Sequence, residues 1–271
     1  MESIRQPAVS GTFYPSSPSQ LKDQVRQFLD ITKTDESYKS LTGIVSPHAG
    51  YIYSGKTAAY AYNTIEKQYN TVIILSPSHR EYFPGISVFN GEAYKAPLGT
   101  VPINKLVREK LLFNSKNIFS GLEGHRSEHA VEVQIPFLQV VLQDFTIVPL
   151  VIGDQRRSFI DELAEKLADV VNDETIVVAS SDLSHFFPKK AADELDGRIE
   201  KNINKFDYES LMKDLETSKC EACGGGAIVA MMKTADLLQR KKSKVLARTS
   251  SGDVTGDYSE VVGYLSAVVY D

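Results

Sequence analysis

The sequence predicts one α/β domain over residues 1–271, in which helices wrap a central, mostly parallel or mixed sheet. Three apolar runs carry this prediction, at residues 43–45, 71–75 and 175–179. Runs that are rich in β-branched residues and do not alternate with polar ones are typical of strands covered on both faces. Segments with helical periodicity separate these runs, and that alternation favours parallel pairing.

The N-terminal part of the chain predicts a loop, a helix and the first buried strand. Residues 4–16 hold two prolines and a glycine around bulky side chains, which indicates an ordered loop. Residues 18–29 have a helical apolar period, with Ser17 placed to cap the helix. Pro18 occupies the first helical position, where a missing N–H costs nothing. Residues 57–65 are small and compatible with a second helix.

The rest of the chain is interpreted by the same two signals, helical periodicity and compact apolar runs. Residues 86–98 predict a β-rich excursion, and Pro136 would kink a helix that contains it. Two closing strands are expected to pair antiparallel. The predicted helices are 103–112, 128–142, 159–171, 191–204 and 226–238, and the further strands are 86–89, 145–152, 245–249 and 261–269.

Composition excludes several classes of protein. The chain has 271 residues, 42% of them hydrophobic and 24% charged, which is ordinary for a globular protein with a full core. A formal charge of −5 argues against a nucleic-acid partner, which would need a basic face. No apolar stretch approaches the roughly 18–20 residues that span a bilayer, so no membrane partner is expected. We expect a cytoplasmic protein whose two cysteines stay reduced.

Histidines follow three of the predicted strands. His48 comes just after the first run, His79 after the second, and His185 follows Asp182 after the third. The carboxyl ends of strands in an open α/β sheet form the edge where ligands bind. Because imidazole is the commonest ligand of transition metals, this pattern predicts a metal site at that rim.

A cysteine near a predicted helix start is a further candidate ligand. Cys223 follows Cys220 in a CxxC string and precedes three glycines and an apolar helix. The positive end of a helix dipole lowers a thiol pKa and favours the thiolate, which binds metals. The glycines would let the backbone approach another chain segment closely. A buried structural cysteine is the alternative interpretation.

The string His125–His129 offers a different metal site. It matches HxxEH, which on a helix can set two zinc ligands and a carboxylate base on one face. Gly121 and Gly124 instead suggest a loop at His125. Glu128 and His129 then remain candidates for contacts to a substrate or for support of a ligand.

The segment 180–185 carries hydroxyls, Asp182 and His185, but a serine hydrolase would need a GxSxG elbow, which the sequence lacks. We interpret Asp182 and His185 as a general acid–base pair or as partners that orient a metal ligand. No phosphate-binding glycine motif is present, so nucleotide binding is not predicted.

Six stretches in this order resemble one protein family. They are RQPAVSGTFYP (5–15), PHAGYIYSG (47–55), SPSH (76–79), EHAVEVQIPFL (128–138), SSDLSH (180–185) and CGGGAI (223–228). Together they resemble the Memo family, also known as the protein B component of the AmmeMemoRadiSam set. The resemblance covers nearly the whole chain.

The resemblance implies a fold similar to the class III extradiol-type non-haem iron dioxygenases. It also implies a site of two histidines and one cysteine, which map to His48, His79 and Cys223, with Asp182 and His185 lining the same pocket. A thiolate in place of the dioxygenase carboxylate shifts the preference toward Cu(I), zinc or a differently poised iron. Family members are linked to iron and copper binding, to redox activity and, in animals, to phosphotyrosine peptides.

Three functional hypotheses follow. The first is a metal-dependent oxidoreductase that uses iron or copper, or else zinc, with Tyr51, Glu128 and His129 contacting a small-molecule or peptide substrate. The second is a non-catalytic module that binds a peptide or small anion, with the helix start at residues 224–226 as an anion site. The third is a zinc hydrolase using His125, Glu128 and His129. The sequence leaves the substrate and the oligomeric state open.

Overall fold

The structure, a computed structural model, describes residues 4–271 and contains two sheets within that range. A small sheet consists of strands β1, β5 and β6, and a mixed sheet of nine strands forms the centre. The strands are β1 (Ile4–Arg5), β2 (Gly43–Ser46), β3 (Thr71–Pro77), β4 (Ile86–Phe89), β5 (Ala93–Ala96), β6 (Gly99–Pro102), β7 (Ile118–Gly121), β8 (Thr146–Ile152), β9 (Thr175–Ser180), β10 (His185–Phe187), β11 (Lys242–Ser250) and β12 (Val261–Tyr270).

Parallel pairing holds the middle of the large sheet. Its order is β10-β12-β2-β9-β3-β8-β4-β7, with β11 also paired to β12. Strands β2, β9, β3 and β8 run parallel, whereas β12 is antiparallel to β2 and β4 is antiparallel to β8. The closing strands β11 and β12 pair antiparallel, which confirms that prediction.

Helices cover the sheet. They are α1 (Pro18–Ile31), α2 (Tyr51–Tyr62), α3 (Lys105–Leu112), α4 (Ile135–Val141), α5 (Arg157–Ala168), α6 (Lys189–Asn204), α7 (Tyr208–Glu216), α8 (Gly225–Leu237) and the short α9 (Gly252–Thr255). This architecture confirms the predicted α/β fold with a mixed sheet wrapped by helices.

Two apolar cores lie on opposite faces of the sheet. Along β3, Ile73 and Leu75 belong to one core while Val72 and Ile74 belong to the other, because successive side chains in a strand point to opposite faces. Every residue of β3 is buried, as the unalternating apolar run predicts. Helices α1, α2 and α4 cover one core, and α5, α6 and α8 cover the other.

The bounds of two predicted helices and one predicted capping bond differ from the structure. Helix α2 begins at Tyr51 rather than at residue 57. The segment 128–142 is not one kinked helix, because a 3₁₀ turn at Glu132–Gln134 leads into α4. Pro136 lies in the first turn of α4, where it disrupts no helical hydrogen bond. Ser17 is the N-cap residue of α1, but its side chain makes no capping hydrogen bond.

A buried ion pair anchors the N-terminal segment. Arg5 contacts Glu132, and both side chains are almost fully buried. The Glu132 carboxylate also accepts the backbone N–H of Ala8 at 2.7 Å and of Val9 at 3.0 Å, together with the hydroxyl of Tyr14. The Arg5 guanidinium donates to the carbonyl oxygens of His125 and Glu128 as well. These bonds tie residues 5–14 to the loop that precedes α4.

Within residues 4–271, no helix combines the length and the apolar character that crossing a bilayer requires.

We expect Glu132→Gln to lower the free energy of unfolding by about 3–5 kcal/mol, because it leaves the buried Arg5 charge uncompensated. Urea denaturation measures this change. Asp30→Asn is the control, since the Asp30–Lys33 pair is solvent-exposed and should contribute no more than about 1 kcal/mol. Equal losses for the two variants would contradict the assigned role of Glu132.

Candidate metal centre

The ends of three neighbouring parallel strands form the rim of the candidate site. Strand β9 lies between β2 and β3, with Ser46 level with Ser180 and Leu75 level with Ala179. His48, Asp182 and His79 each lie two residues beyond the end of one of these strands. This arrangement confirms that the strand ends deliver these groups to one edge of the sheet.

Three imidazole rings meet at this rim. The ring centroid of His48 lies 5.1 Å from that of His79 and 5.4 Å from that of His129. The rings of His79 and His129 stack, with 4.7 Å between their centroids. One nitrogen from each of the three rings lies within 4.8 Å of the other two. His129, which the sequence suggested as a substrate contact, therefore lies among the candidate metal ligands.

Buried hydrogen bonds fix the ring of His48. The Ser180 hydroxyl donates to the carbonyl oxygen of Ala130 at 2.8 Å, and it accepts the side-chain N–H of Gln134 at 2.8 Å. Because the only proton of this hydroxyl is already donated to Ala130, the hydroxyl must accept a hydrogen bond from Nδ1–H of His48, 2.8 Å away. The Nε2 atom of His48 then carries a lone pair. Burial, followed by the other histidines, holds the pKa of His48 well below its ordinary value.

Glu128 orients the second ring in the same way. Its carboxylate accepts the backbone N–H of His79 at 2.7 Å and Nδ1–H of the same residue at 2.9 Å. It also accepts the backbone N–H groups of His129 and Ala130, at 2.8 and 2.9 Å. Burial opposes ionisation of Glu128, but these hydrogen bonds outweigh it and lower the pKa to about 2. Glu128 is 1% exposed, so the structure does not bring it to an open surface, where the sequence suggested a substrate contact.

The third ring has an unsatisfied nitrogen. Nδ1 of His129 is buried and has no hydrogen-bond partner, although Glu128 Oε1 lies 3.2 Å away. Burial lowers the pKa of His129 to about 4, so the ring is neutral near pH 7. A buried polar atom without a partner calls for a specific reason, and a metal ion is one. The converging nitrogens of the three rings therefore fit a transition metal.

Cys223 lies beside the ring of His48. Its Sγ is 3.2 Å from Nε2 of His48 and accepts the backbone N–H of Asp182 at 3.2 Å. The expected low thiol pKa is wrong for this structure, because burial, followed by the charge of Asp182, raises the pKa of Cys223. The thiol faces a carboxylate in a dry setting, and this outweighs the helix dipole. The role of Cys223 as a metal ligand stays a prediction.

The glycines after Cys223 permit a close approach to β9. A Cβ on Gly224 would lie 2.2 Å from the carbonyl oxygen of Ser180, so only glycine fits. The backbone N–H groups at this helix start are already engaged. Gly224 donates to the Ser181 hydroxyl at 2.9 Å, and Gly226 donates to the side-chain oxygen of Gln155 at 2.7 Å. These amides are therefore not free to bind an anion.

Asp182 and His185 occupy the same rim without a direct bond. One Asp182 oxygen accepts the backbone N–H of His48 at 2.7 Å, and burial raises the pKa of Asp182 to about 6. His185 is half-buried, and its backbone N–H donates to Glu221 at 3.1 Å. Among the hydrogen bonds of residues 4–271, none joins the His185 ring to Asp182. An acid–base role for the two residues stays a prediction.

Tyr51 faces the core. Its hydroxyl donates to the carbonyl oxygen of Val133 at 2.7 Å, and its ring packs against Phe137 at 5.1 Å between centroids. It is 2% exposed, so the structure does not bring it to the open rim, where the sequence suggested a substrate contact.

His125 is separate from the three rings. Its Nδ1 pairs with the Tyr94 hydroxyl at 2.7 Å and its Nε2 with the carbonyl oxygen of Ser87 at 3.1 Å, so both nitrogens are occupied. Residues 125–129 precede the 3₁₀ turn and are not helical. The helical HxxEH zinc arrangement is therefore wrong for this chain.

Sequence reasoning missed Ser180 and Gln134, which hold the His48 ring. Ser180 ends a strand beside the recognised Asp182, so its position was a usable signal. Gln134 had no such signal, because it reaches the site through the unexpected 3₁₀ turn.

Comparisons with known proteins cover most or nearly all of the chain. Residues 5–268 match the family described as Memo-like protein. A MEMO1 family protein of Methanocaldococcus jannaschii is 36% identical, over 99% of this chain and 100% of its own length. One from Thermoplasma volcanium is 38% identical over 98% of each chain. An uncharacterized protein from Escherichia coli K12 is similar in fold, with a TM-score of 0.60 and 12% identity over 84% of this chain and 99% of its own.

The assigned tautomers can be tested by long-range ¹H–¹⁵N NMR on metal-free protein at neutral pH. We expect His48 to carry its proton on Nδ1. His125 is the internal control and should carry its proton on Nε2, because that atom faces a carbonyl acceptor. Ser180→Ala should abolish the preference at His48 alone. An Nε2–H signal for His48 in wild type would overturn the assignment.

The buried histidines also predict how stability depends on pH. Burial lowers the folded-state pKa of His125 to about 3 from an ordinary 6.5. Between these two values the unfolded chain binds a proton at His125 and the folded chain does not. Stability is therefore lost as pH falls from about 6.5 toward 3, by up to about 1.4 kcal/mol per pH unit for each such histidine.

Urea unfolding between pH 7.5 and 5 would measure this slope. His125→Gln should reduce the slope by the equivalent of about one proton, whatever it does to absolute stability. An unchanged slope would mean that His125 is protonated in the folded protein.

Proposed function

Because the chain belongs to the Memo family, and because three imidazoles converge at one sheet edge, we propose that it is a metal-dependent oxidoreductase. His48 and His79 would hold the ion, with His129 and Cys223 as the further ligands. The proposal depends chiefly on one observation: the nitrogens of three histidines lie within 4.8 Å of one another.

The hydrogen bonds around the rings support this proposal. Ser180 and Glu128 each accept a hydrogen bond from Nδ1 of one histidine, which leaves Nε2 of that ring available to a metal ion. Metal-binding histidines commonly have such an acceptor behind the ring, because it fixes the tautomer and the orientation. The ligand nitrogens are therefore prepared before any ion arrives.

The donor set favours iron or copper, with zinc as the remaining candidate. Imidazole suits iron, copper and zinc alike, and a sulfur ligand at Cys223 would favour Cu(I) over harder ions. Iron or copper, when bound, would supply one-electron redox chemistry that the side chains lack.

The chain's own groups would position a substrate and move protons. Asp182, whose pKa is raised to about 6, can gain or lose a proton near neutral pH. His185 is half-buried at the same rim and is the candidate partner that exchanges protons with solvent. We propose a small-molecule or peptide substrate, and no nucleic-acid partner is proposed because the net charge is −5.

Metal analysis of anaerobically purified protein tests the proposal. We expect about one iron or copper ion per chain, and His48→Ala, His79→Ala and His129→Ala should each weaken binding by at least about tenfold. Ser180→Ala should weaken it by about 10–100-fold, because the His48 ring loses its acceptor. His185→Ala is the control from the same rim and should retain the ion.

Two further readouts distinguish the parts of the proposal. Comparing Cys223→Ser with His129→Ala identifies which residue is the stronger third ligand. A reversible one-electron change in an electron paramagnetic resonance titration would support redox chemistry. Exclusive binding of zinc would contradict the oxidoreductase, and absence of any metal in wild type would contradict the metal site itself.

A further inference from the structure

A cavity with aromatic walls opens near the candidate metal centre. Its volume is about 330 Å³, and Tyr53, Phe186 and Tyr264 contribute rings to its lining. That volume is in the range of pockets that bind small molecules. Residues of α2, β10 and β12 contribute to the lining of the cavity, and none of the three clustered histidines is in this lining.

Two of the three aromatic side chains of this cavity, Phe186 and Tyr53, are exposed, whereas Tyr264 is buried. Phe186 is 70% exposed and has a φ of 62°, a left-handed conformation that is uncommon for a residue other than glycine. Tyr53 is 40% exposed. An exposed phenylalanine in this conformation adds little to the core, so its position needs another explanation.

The charges of the cavity have one sign. Asp257 and Glu260 are in the lining, and no lysine or arginine is. Hydrogen bonds from Ser259 lower the pKa of Asp257, which keeps it ionised. Among the ion pairs of residues 4–271, none involves Asp257 or Glu260. The cavity therefore combines aromatic faces with unneutralised carboxylates.

The cavity is joined to the candidate metal centre through β10 and β12. Phe186 directly follows His185, which is level with Val262 of β12 in the sheet. The next segment of β12 also contacts the chain near Asp182, since the Leu183 N–H donates to the carbonyl oxygen of Gly263 at 2.8 Å. Tyr264 is close enough to Asp182 for that charge to help burial raise the tyrosine pKa. Asp182 and His185 are therefore neighbours of the residues that line the cavity, although neither lines it directly.

We propose that this cavity binds the ammonium group of a small organic cation and directs the rest of that molecule toward Asp182 and His185. The binding of a cation stands independently, whereas its role as the substrate subsite rests on the proposed function. Aromatic rings present a negative face to a cation, and cages of such rings recognise alkylated ammonium groups. An anion would be repelled by Asp257 and Glu260, and a neutral ligand would leave those charges unused.

A pair of isosteric probes tests the proposal. Choline and 3,3-dimethyl-1-butanol have nearly the same shape, but only choline is charged. We expect choline to bind to the full chain, as measured by NMR titration, and the neutral probe to bind at least about threefold more weakly. Equal affinities would overturn the cation site in favour of a plain apolar pocket, and absence of choline binding would overturn it outright.

Variants locate the site. Phe186→Leu keeps an apolar side chain but removes the ring, and should weaken choline binding by about three- to thirtyfold. Phe113→Leu is the matched control, because Phe113 is also 70% exposed but lies at the end of α3, outside the cavity lining. Asp257→Asn should weaken binding and reduce its dependence on salt. Equal effects of Phe186→Leu and Phe113→Leu would contradict the assignment.

The same titration on His79→Ala protein separates this proposal from the proposed function. Choline binding that survives in His79→Ala supports the cation site even if metal analysis fails. A metal centre without choline binding would leave the oxidoreductase intact and overturn the cation site.

Discussion

The candidate site depends on buried acceptors that fix the orientation of two imidazoles. Ser180 and Glu128 each accept a hydrogen bond from Nδ1 of one histidine, so Nε2 is the nitrogen of His48 and of His79 that is left for a metal ion. Water could not impose this orientation, because solvent would accept a proton from either nitrogen. Burial adds to the effect by keeping His48 neutral. The protein thus prepares ligand atoms through its folded interior rather than through the rings alone.

The same loop connects fold stability to the site. Glu132 is held by Arg5 and by the N-terminal segment, and it lies only three residues from His129. Glu128, in the same loop, accepts hydrogen bonds from His79 and His129, while its carbonyl oxygen accepts one from Arg5. The position of the third imidazole therefore depends on a buried ion pair between this loop and Arg5, which is near the N-terminus. Such a loop has little freedom, which suits a site that must hold its ligands before an ion arrives.

Two different surfaces, the three-histidine cluster and the aromatic cavity, lie near each other on the protein. The three-histidine cluster runs from the buried His48 to the exposed His79, whereas the cavity lined by Tyr53, Phe186 and Tyr264 bears acidic groups. Asp182 and His185 lie between these parts of the chain. This division separates a region suited to an ion from one suited to an organic group, and β12 connects them because it pairs with β10 on one side and with β2 on the other.

The sequence by itself determined the α/β fold, the strand-exit positions of His48, His79 and Asp182, and the need for glycine after Cys223. These follow from local patterns, since apolar runs predict buried strands and parallel strands share an edge. Only the tertiary structure decided that His129 joins the rings, that Tyr51 and His125 do not, and that the Cys223 thiol has a raised pKa. Those outcomes depend on contacts between segments distant in the sequence and on burial, and neither is encoded in residue spacing.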